Sequence, residues 1–386
     1  MEIFNIYFSR AELYFLGGLL LTFIYQIYFY FHYINGVIHY RKKIQHHKIS
    51  FLKEQPPVSV IICAKNEAEN LSKFLPAILE QDYPDFEVIV INDGSVDDTD
   101  ILLGAFSKKY SNLRTTFVPQ EAQNLSTKKL GLTLGIKAAK NDLLLFTDAD
   151  CVPASDKWIK LMVRNFLPDI EFVLGYSGYS SQKGFLNQLI TYDTLFIGLQ
   201  YMGMALAGKP YMGVGRNLAY RKQTFFDQNG FASSLNLLAG DDDLIVNRAA
   251  NKKNTRVEIS PESITWSQPK TTFKSWYQQK RRHLSVSSAY TKKSKWRLML
   301  EPLTRGLFYI LLIVTCIVGN NITKIFAVFL FLIRYAIQIS IINRSARHFK
   351  ERQYFLTLLI FDLLLPLIPL SILVTNRKSS RYNQKW

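Results

Sequence analysis

LLLFTDAD, residues 143–150, is a run of apolar side chains that ends in two carboxylates one residue apart. A short apolar run bounded by polar residues predicts a strand buried on both faces, as in a parallel sheet covered by helices. The acids then fall at the carboxyl end of that strand, the edge at which open α/β sheets bind their ligands. Residues i and i+2 of an extended chain point the same way, so Asp148 and Asp150 face one object. Paired carboxylates suit a hard divalent cation, Mg2+ or Mn2+, whose other positions are commonly filled by phosphate oxygens. The implied ligand is a metal-bound diphosphate. An isolated Asp-x-Asp is more often a solvated acidic loop, so this reading depends on the rest of the chain.

Upstream, VSVII at 58–62 predicts a first buried strand and residues 87–91 a second, closed by the turn Asn92-Asp93-Gly94-Ser95. Between them CAKNEAENL starts a helix, with Asn66 as its cap and Glu69 completing a capping-box pattern. Asp97 and Asp98 are expected to cap the next helix near Thr99. Residues 126–139, STKKLGLTLGIKAA, have helical spacing with Lys128 and Lys129 in the first turn. Alternating strand and helix predicts a doubly wound α/β sheet with its loops gathered on one edge. Taken singly, Asp93 fits an ordinary turn and the two lysines a solvated helix face. Downstream, AGDDDLIVNR at 239–248 puts three carboxylates at a helix start, where acids ordinarily stabilise the N-terminus.

Together, the Asn-Glu of CAKNE, YPDFEVIVINDGSVDDT, the Lys-Lys helix start and FTDAD resemble the nucleotide-sugar half of the family 2 glycosyltransferases, which have the A-type glycosyltransferase fold. The resemblance covers residues 58–283, and the combination is far more specific than any one motif. It implies that Ala64, Glu67 and Asp93 hold the nucleotide, Lys128 the diphosphate, and Asp148 with Asp150 the nucleotide and its metal. GVGRNLAYR at 213–221 resembles the family's glycine-containing segment, whose glycines would let backbone approach a sugar closely. GDD followed five residues on by Asn-Arg resembles the hyaluronan-type synthases and implies Asp242 as the general base, with Asp241 and Asp243 supporting or capping. QKRRH at 279–283 resembles the Gln-x-x-Arg-Trp motif of membrane-embedded members, cellulose synthases and ceramide glucosyltransferases among them. It implies that Gln279, Arg282 and His283 bind substrate; a guanidinium at 282 can hold diphosphate oxygens bidentately. The chain departs from the family pattern at Cys63, where Pro is frequent, at Gly131, where Ala is usual, and at His283, which replaces Trp. The first two read as packing changes, and the third offers an acceptor a smaller, partly polar face.

The 386-residue chain is 48% hydrophobic, more than an ordinary soluble protein, and the excess is localised. Residues 13–34 carry no Lys, Arg, Asp or Glu over 22 positions, and about 20 apolar residues suffice for a helix to cross a hydrocarbon core. HYRKKIQHHK follows, and such basic flanks mark the cytoplasmic side. Residues 306–318 and 325–342 predict a transmembrane hairpin; residues 354–375, interrupted by Pro366 and Pro369, fit either a span or a broken interfacial helix. Net charge is +17, and residues 270–305 alone hold ten Lys or Arg against one acid, Glu301. Basic residues beside a membrane segment attract anionic lipid head groups, so this charge argues for a membrane surface and against nucleic acid. Cys63, Cys151 and Cys316 have no paired spacing, consistent with a reducing compartment.

These readings predict an anchor and basic linker at 1–54, a cytosolic glycosyltransferase domain at 55–298, and a C-terminal membrane region at 299–386. The protein is expected to be a multi-pass enzyme of the cell (inner) membrane. Its expected reaction is inverting, metal-dependent transfer from a nucleotide diphosphate sugar, a UDP-sugar by the resemblance, to a membrane lipid or lipid-linked acceptor. The competing expectation is a processive polysaccharide synthase of the hyaluronan or cellulose synthase type.

Overall fold

The computed structural model describes residues 9–119, 127–235, 237 and 239–378. Residues 10–45 form one helical rod: α1 (Arg10–Phe29), a π-helical turn (Tyr30–Ile34) and α2 (Gly36–Gln45). A linker then leads into the sheet. The predicted apolar runs become β1 (Val58–Ala64), β2 (Phe86–Asn92) and, beyond β3 (Leu113–Phe117), β4 (Leu143–Phe146). The seven-stranded sheet is completed by β6 (Phe172–Leu174), β8 (Leu218–Arg221) and β9 (Thr255–Val257), in the order β3-β2-β1-β4-β8-β6-β9. Pairings β1 with β2, β1 with β4, β2 with β3 and β6 with β9 are parallel, while β8 runs antiparallel to β4 and β6. A small second sheet joins β5 (Cys151–Pro153), β7 (Ser177–Tyr179) and β10 (Thr265–Ser267) in the order β5-β10-β7.

Successive side chains of a strand point to opposite faces, and both faces here are dry. Val58, Val60 and Ile62 enter one core with Leu71 and Leu75 of α3 (Ala68–Leu79), Leu103 of α4 (Thr99–Lys109) and Trp158 of α6 (Trp158–Val163). Ile61 enters the other core, with Leu132 and Ile136 of α5 (Thr127–Ala138) and Leu195 of α7 (Phe185–Leu206). The acid-tipped strand does the same: Leu143 and Leu145 pack on the first face, Leu144 and Phe146 on the second. Removing such a side chain from water contributes about 1.5–3 kcal/mol.

Several local expectations are corrected. β1 extends through Cys63 and Ala64, so the Asn-Glu loop begins later than predicted. Asn66 is not the cap of α3: it adopts a left-handed φ of 55°, and Glu67 stands at the cap position without a side-chain cap bond. Glu69 pairs with Lys73 one turn on rather than closing a capping box. The orphan amides are satisfied by the following loop, since Ser95 Oγ accepts from Asn66 N, Thr99 Oγ1 from Glu67 N, and Asp97 Oδ2 from Ala68 N. Asp97 also accepts from Thr99 N, as a capping residue should, whereas Asp98 makes no cap bond. Ser126, expected to start α5, lies outside the described residues, as does the tail from 379. The first two departures from the family pattern meet in space: a Cβ at Gly131 would stand 3.2 Å from Cys63 Sγ, so the thiol occupies the room the glycine leaves. All three cysteines are free.

After α8 (Lys222–Asp227), α9 (Asp243–Ala249) and α10 (Phe273–Val286), the chain enters α11 (Lys292–Val318) and α12 (Asn321–His348). The rod 10–45, α11 and α12 are each long and apolar enough to cross a membrane. α11 starts well before the predicted 306, carrying Pro302 inside it, so the expected boundary at 298 falls within a continuous helix. Glu12 caps α1 with Ser9 and also accepts from Asn320 N in the α11–α12 turn, placing the starts of α1 and α12 at one end. Residues 354–375 resolve into two short helices broken near Pro366, α13 (Leu356–Leu364) and α14 (Leu367–Lys378). Inside the bundle, Asp362 of α13 accepts from Arg334 Nη1 (2.7 Å), Gln338 Nε2 (2.8 Å) and Tyr309 OH (2.6 Å), and Arg305 pairs with Glu301 (2.9 Å).

Candidate active site

The loops leaving β1, β2 and β4 gather at one sheet edge, where the parallel topology puts every strand's carboxyl end. Asp93 is buried at the tip of β2, its amide held by Ala64 O at the tip of β1 (2.8 Å). At the tip of β4, Asp148 lies 3.2 Å from Lys128 Nζ, and the same ammonium lies 3.3 Å from Asp241. A lysine on α5 thus bridges the acid-tipped strand to the GDDD segment, 93 residues further along than Asp148. Asp148, Lys128, Asp241, Asp242 and Gly215 line one cleft of ≈ 340 Å³ of open space. Burial works against the Lys128 charge, but Asp148 and Asp241 reverse it and hold its pKa well above the ordinary lysine value.

Asp242 is both the cap of α9 and the centre of the cleft wall. Its Oδ1 accepts from Asp243 N (2.8 Å) and its Oδ2 from Gly215 N (2.6 Å). An ionised carboxylate has about four lone-pair sites, so two stay available to an incoming hydroxyl. Burial, with Asp241 beside it, pushes the pKa of Asp242 up to about 6. Asp241 goes the other way: burial raises it, Lys128 more than compensates, and the carboxyl sits below its ordinary range. Asp243 is buried, accepts from Tyr290 OH (2.7 Å) and is pushed well up, first by burial and then by Asp242. The three consecutive acids therefore have three environments. Of the two roles expected for Asp241 and Asp243, supporting or capping, the capping one falls to Asp242 instead. In the glycine segment, a Cβ at Gly215 would lie 3.3 Å from Asp242 Oδ2, so this glycine admits the carboxylate to its own amide.

Asp150 faces the small sheet, accepting from Ser267 Oγ of β10 (2.9 Å). Glu67 stands near both acids; burial raises its pKa, and the charges of Asp150 and Asp148 add to that. Among the described residues no group of three or more His, Cys, Asp or Glu converges as a metal cage. Two carboxylates fit a cation that keeps water and borrows ligand phosphates. Gln279, Arg282 and His283 all lie on α10; Gln279 Nε2 donates to Tyr179 OH (3.1 Å), Arg282 is half-buried, and His283 is exposed. None of these three, nor Ala64, Glu67, Asp93 or Asp150, lines the cleft that contains Asp242.

Two contributors were missed by sequence reasoning. Lys129, taken as a surface lysine, is 1% exposed and donates to Ser234 O (2.5 Å) and Leu237 O (2.7 Å), tying α5 to the segment that delivers the three acids. Arg216 stacks over the ring of Tyr179 (4.3 Å), whose hydroxyl accepts from Gln279. Adjacent lysines in an amphipathic helix gave no signal that one turns inward; the Gly-Arg-Asn spacing of 215–217 was the only pointer to the other.

The sheet edge thus joins an acid pair, a bridging lysine and a half-buried carboxylate, and comparison with known proteins gives its class. The model described as Glycosyl transferase family 2 matches residues 59–226, and that described as Glycosyl transferase family group 2 matches residues 143–369, more than half of the chain. The chain belongs to the family 2 glycosyltransferases. It is 28% identical over 242 residues to the probable glycosyltransferase YdaM of Bacillus subtilis, covering 60% of this chain and 55% of that one. It is 24% identical to the poly-beta-1,6-N-acetyl-D-glucosamine synthase of Staphylococcus epidermidis, covering 54% and 49%. It is 30% identical to the beta-monoglucosyldiacylglycerol synthase of Nostoc sp. over 31% of this chain and 24% of that one. The chain thus spans about half the length of the fuller of these relatives. Its fold resembles the mannosyltransferase PcManGT of Pyrobaculum calidifontis, solved with GDP-Man and Mn2+, at 16% identity and a TM-score of 0.57, covering 94% of this chain and 100% of that one. The expected A-type glycosyltransferase architecture is borne out.

Proposed function

We propose that this chain is an inverting glycosyltransferase that moves a sugar from a nucleotide diphosphate donor, a UDP-sugar, to a membrane lipid or lipid-linked acceptor. Asp242 carries the reading: a carboxylate in the cleft, deprotonated at neutral pH, with free lone pairs and a pKa of about 6. The acceptor hydroxyl attacks the anomeric carbon and gives its proton to Asp242. The bond from that carbon to the donor diphosphate breaks on the opposite face, and the electron pair leaves with the diphosphate. Lys128, between Asp148 and Asp241, and Arg282 on α10 counter the charge that develops on it. Asp93, with Ala64 and Glu67 at the neighbouring strand tips, would hold the nucleotide; Gln279 and His283 would meet the sugar side. A divalent cation, Mg2+ or Mn2+, held by Asp150 and Asp148, would supply further neutralisation of the diphosphate.

The lipid acceptor is supported by the bundle, whose interior is filled by a fully buried ion network around Asp362. The polymer-synthase reading draws on the synthase relative and on QKRRH. We read the catalytic domain at 55–298 as lying on the cytosolic side of the cell membrane, a reading supported by the basic flanks of residues 13–34 and 306–318. Membranes carrying the protein, offered a panel of radiolabelled nucleotide sugars, should place label in the solvent-extractable lipid fraction from a UDP-sugar. Label that stays in a non-extractable polymer would replace the lipid reading with the polymer one, and no transfer from any donor would remove both. For topology, an introduced cysteine at Ser107 should resist membrane-impermeant thiol reagent in intact cells; ready labelling would invert the orientation.

A further inference from the structure

A second cavity lies away from the catalytic cleft, where the rod 10–45 leaves its apolar section. The backbones of the rod and α7 touch here: a Cβ on Gly203 would overlap Tyr33 O, and one on Gly36 would stand 3.3 Å from Gly203 Cα. The π-helical turn at Tyr30–Ile34 sits at this crossing, and π-turns inside helices are frequent at functional sites. Beyond the crossing, α2 and the end of α7 border ≈ 880 Å³ of open space. Gly36, His39, Tyr40 and Lys43 fall at i, i+3, i+4 and i+7 of α2 and so share the face that lines it. His32 joins them, and no acid is among the lining residues. The side chains of His39 and Lys43 are exposed, and among the described residues neither makes a side-chain hydrogen bond or ion pair. The carboxyl end of α7 contributes about half a negative charge, less than the Lys43 ammonium alone.

We infer that this cavity is a binding site for the phosphate head group of an anionic phospholipid. Lys43 and the two imidazoles lie just beyond the apolar part of the rod, the depth at which lipid phosphates stand. Phe31, Ile49 and Leu206 give the pocket an apolar wall, and Ile24, Tyr28 and Phe31 continue an exposed apolar surface down α1. A glycerophosphate with its acyl chains attached uses both features, whereas a soluble anion uses only the first. The pocket shares no lining residue with the catalytic cleft, so its occupant is a bound membrane component and not the sugar acceptor.

The test is native mass spectrometry of the purified full chain in detergent, titrated with dioleoylphosphatidylglycerol, dioleoylphosphatidylcholine or inorganic phosphate. A lysine near a lipid surface is worth about fivefold in affinity, so H39A/K43A, which removes the Lys43 ammonium and an imidazole donor, should bind phosphatidylglycerol at least about fivefold more weakly. A207F, which fills the cavity from the α7 side while keeping Lys43 and both imidazoles, should lose the lipid as well. Retention of phosphatidylglycerol by A207F would reduce the effect to diffuse surface charge and overturn the site. Equal binding of phosphatidylcholine by the unaltered chain would overturn the anionic specificity, and displacement by millimolar inorganic phosphate would overturn the lipid. Transfer activity of both variants reports that they are folded.

Discussion

In the helical bundle two carboxylates, Glu301 and Asp362, meet two guanidiniums, Arg305 and Arg334, with side chains 0–4% exposed. In the cleft Asp148, Asp241 and Asp242 surround one ammonium, Lys128, and the side chains of Lys128 and Asp148 are 29% and 34% exposed. The first cluster is neutral and closed; the second has surplus acid and an opening. Buried charge that is fully paired holds elements together, because removing one partner strands the other in a medium of low dielectric. Charge left unbalanced at an opening is available to a cation, a diphosphate or a proton.

The comparison can be broken from either side. Asp242→Asn should lower turnover by about 10²–10⁴-fold, the range for loss of a general base, with little change in nucleotide affinity; single-turnover transfer and UDP binding in detergent separate the two. Normal turnover in that variant, with loss in Asp243→Asn instead, would put the base on the wrong carboxylate. Asp362→Ala should act on stability, costing about 3–5 kcal/mol because two guanidiniums lose their acid, while activity per folded molecule persists. Thermal unfolding with and without donor measures it, and a shift confined to activity would assign the bundle cluster a role in transfer.

Lys129→Met probes the link between core and cleft. It removes a buried donor from two carbonyls and should cost about 1–3 kcal/mol, with turnover falling further than donor affinity as the acid-bearing segment loosens. The pH dependence is the mildest test. Asp242 acts as a base only when ionised, so turnover should fall about tenfold per unit well below its pKa of about 6. Stability moves the opposite way: a carboxyl raised on folding contributes most below its unfolded value, about 4, and that contribution is lost as pH rises through about 6. Stability that rises across this window, with Asp242→Asn unchanged in slope, would remove the shifted carboxyl from the account.

Much of the fold was legible because its determinants are local in the chain. Apolar runs of strand length at 58–62, 87–91 and 143–146, separated by helical spacing, allow few arrangements other than a doubly wound sheet, and the apolar lengths at 13–34, 306–318 and 325–342 mark membrane helices. Parallel topology then places Asp93, Asp148 and Asp150 at one edge without further information. Capping and side-chain partnership were not legible, because they depend on contacts between distant segments. Asn66 matched a cap by local pattern, yet the amides of its loop are met by Ser95, Asp97 and Thr99 from the next unit.

By itself the sequence determined the sheet, the membrane helices and the motif residues, since each follows from periodicity, length or a short spacing. Only the tertiary structure decided which of three consecutive aspartates does what. Asp241 is drawn to Lys128, Asp243 to Tyr290, and Asp242 to the amide of Gly215, partners that lie 113, 47 and 27 residues away. Identical side chains acquire different proton affinities only through burial and the charges beside them, and those are properties of the folded chain.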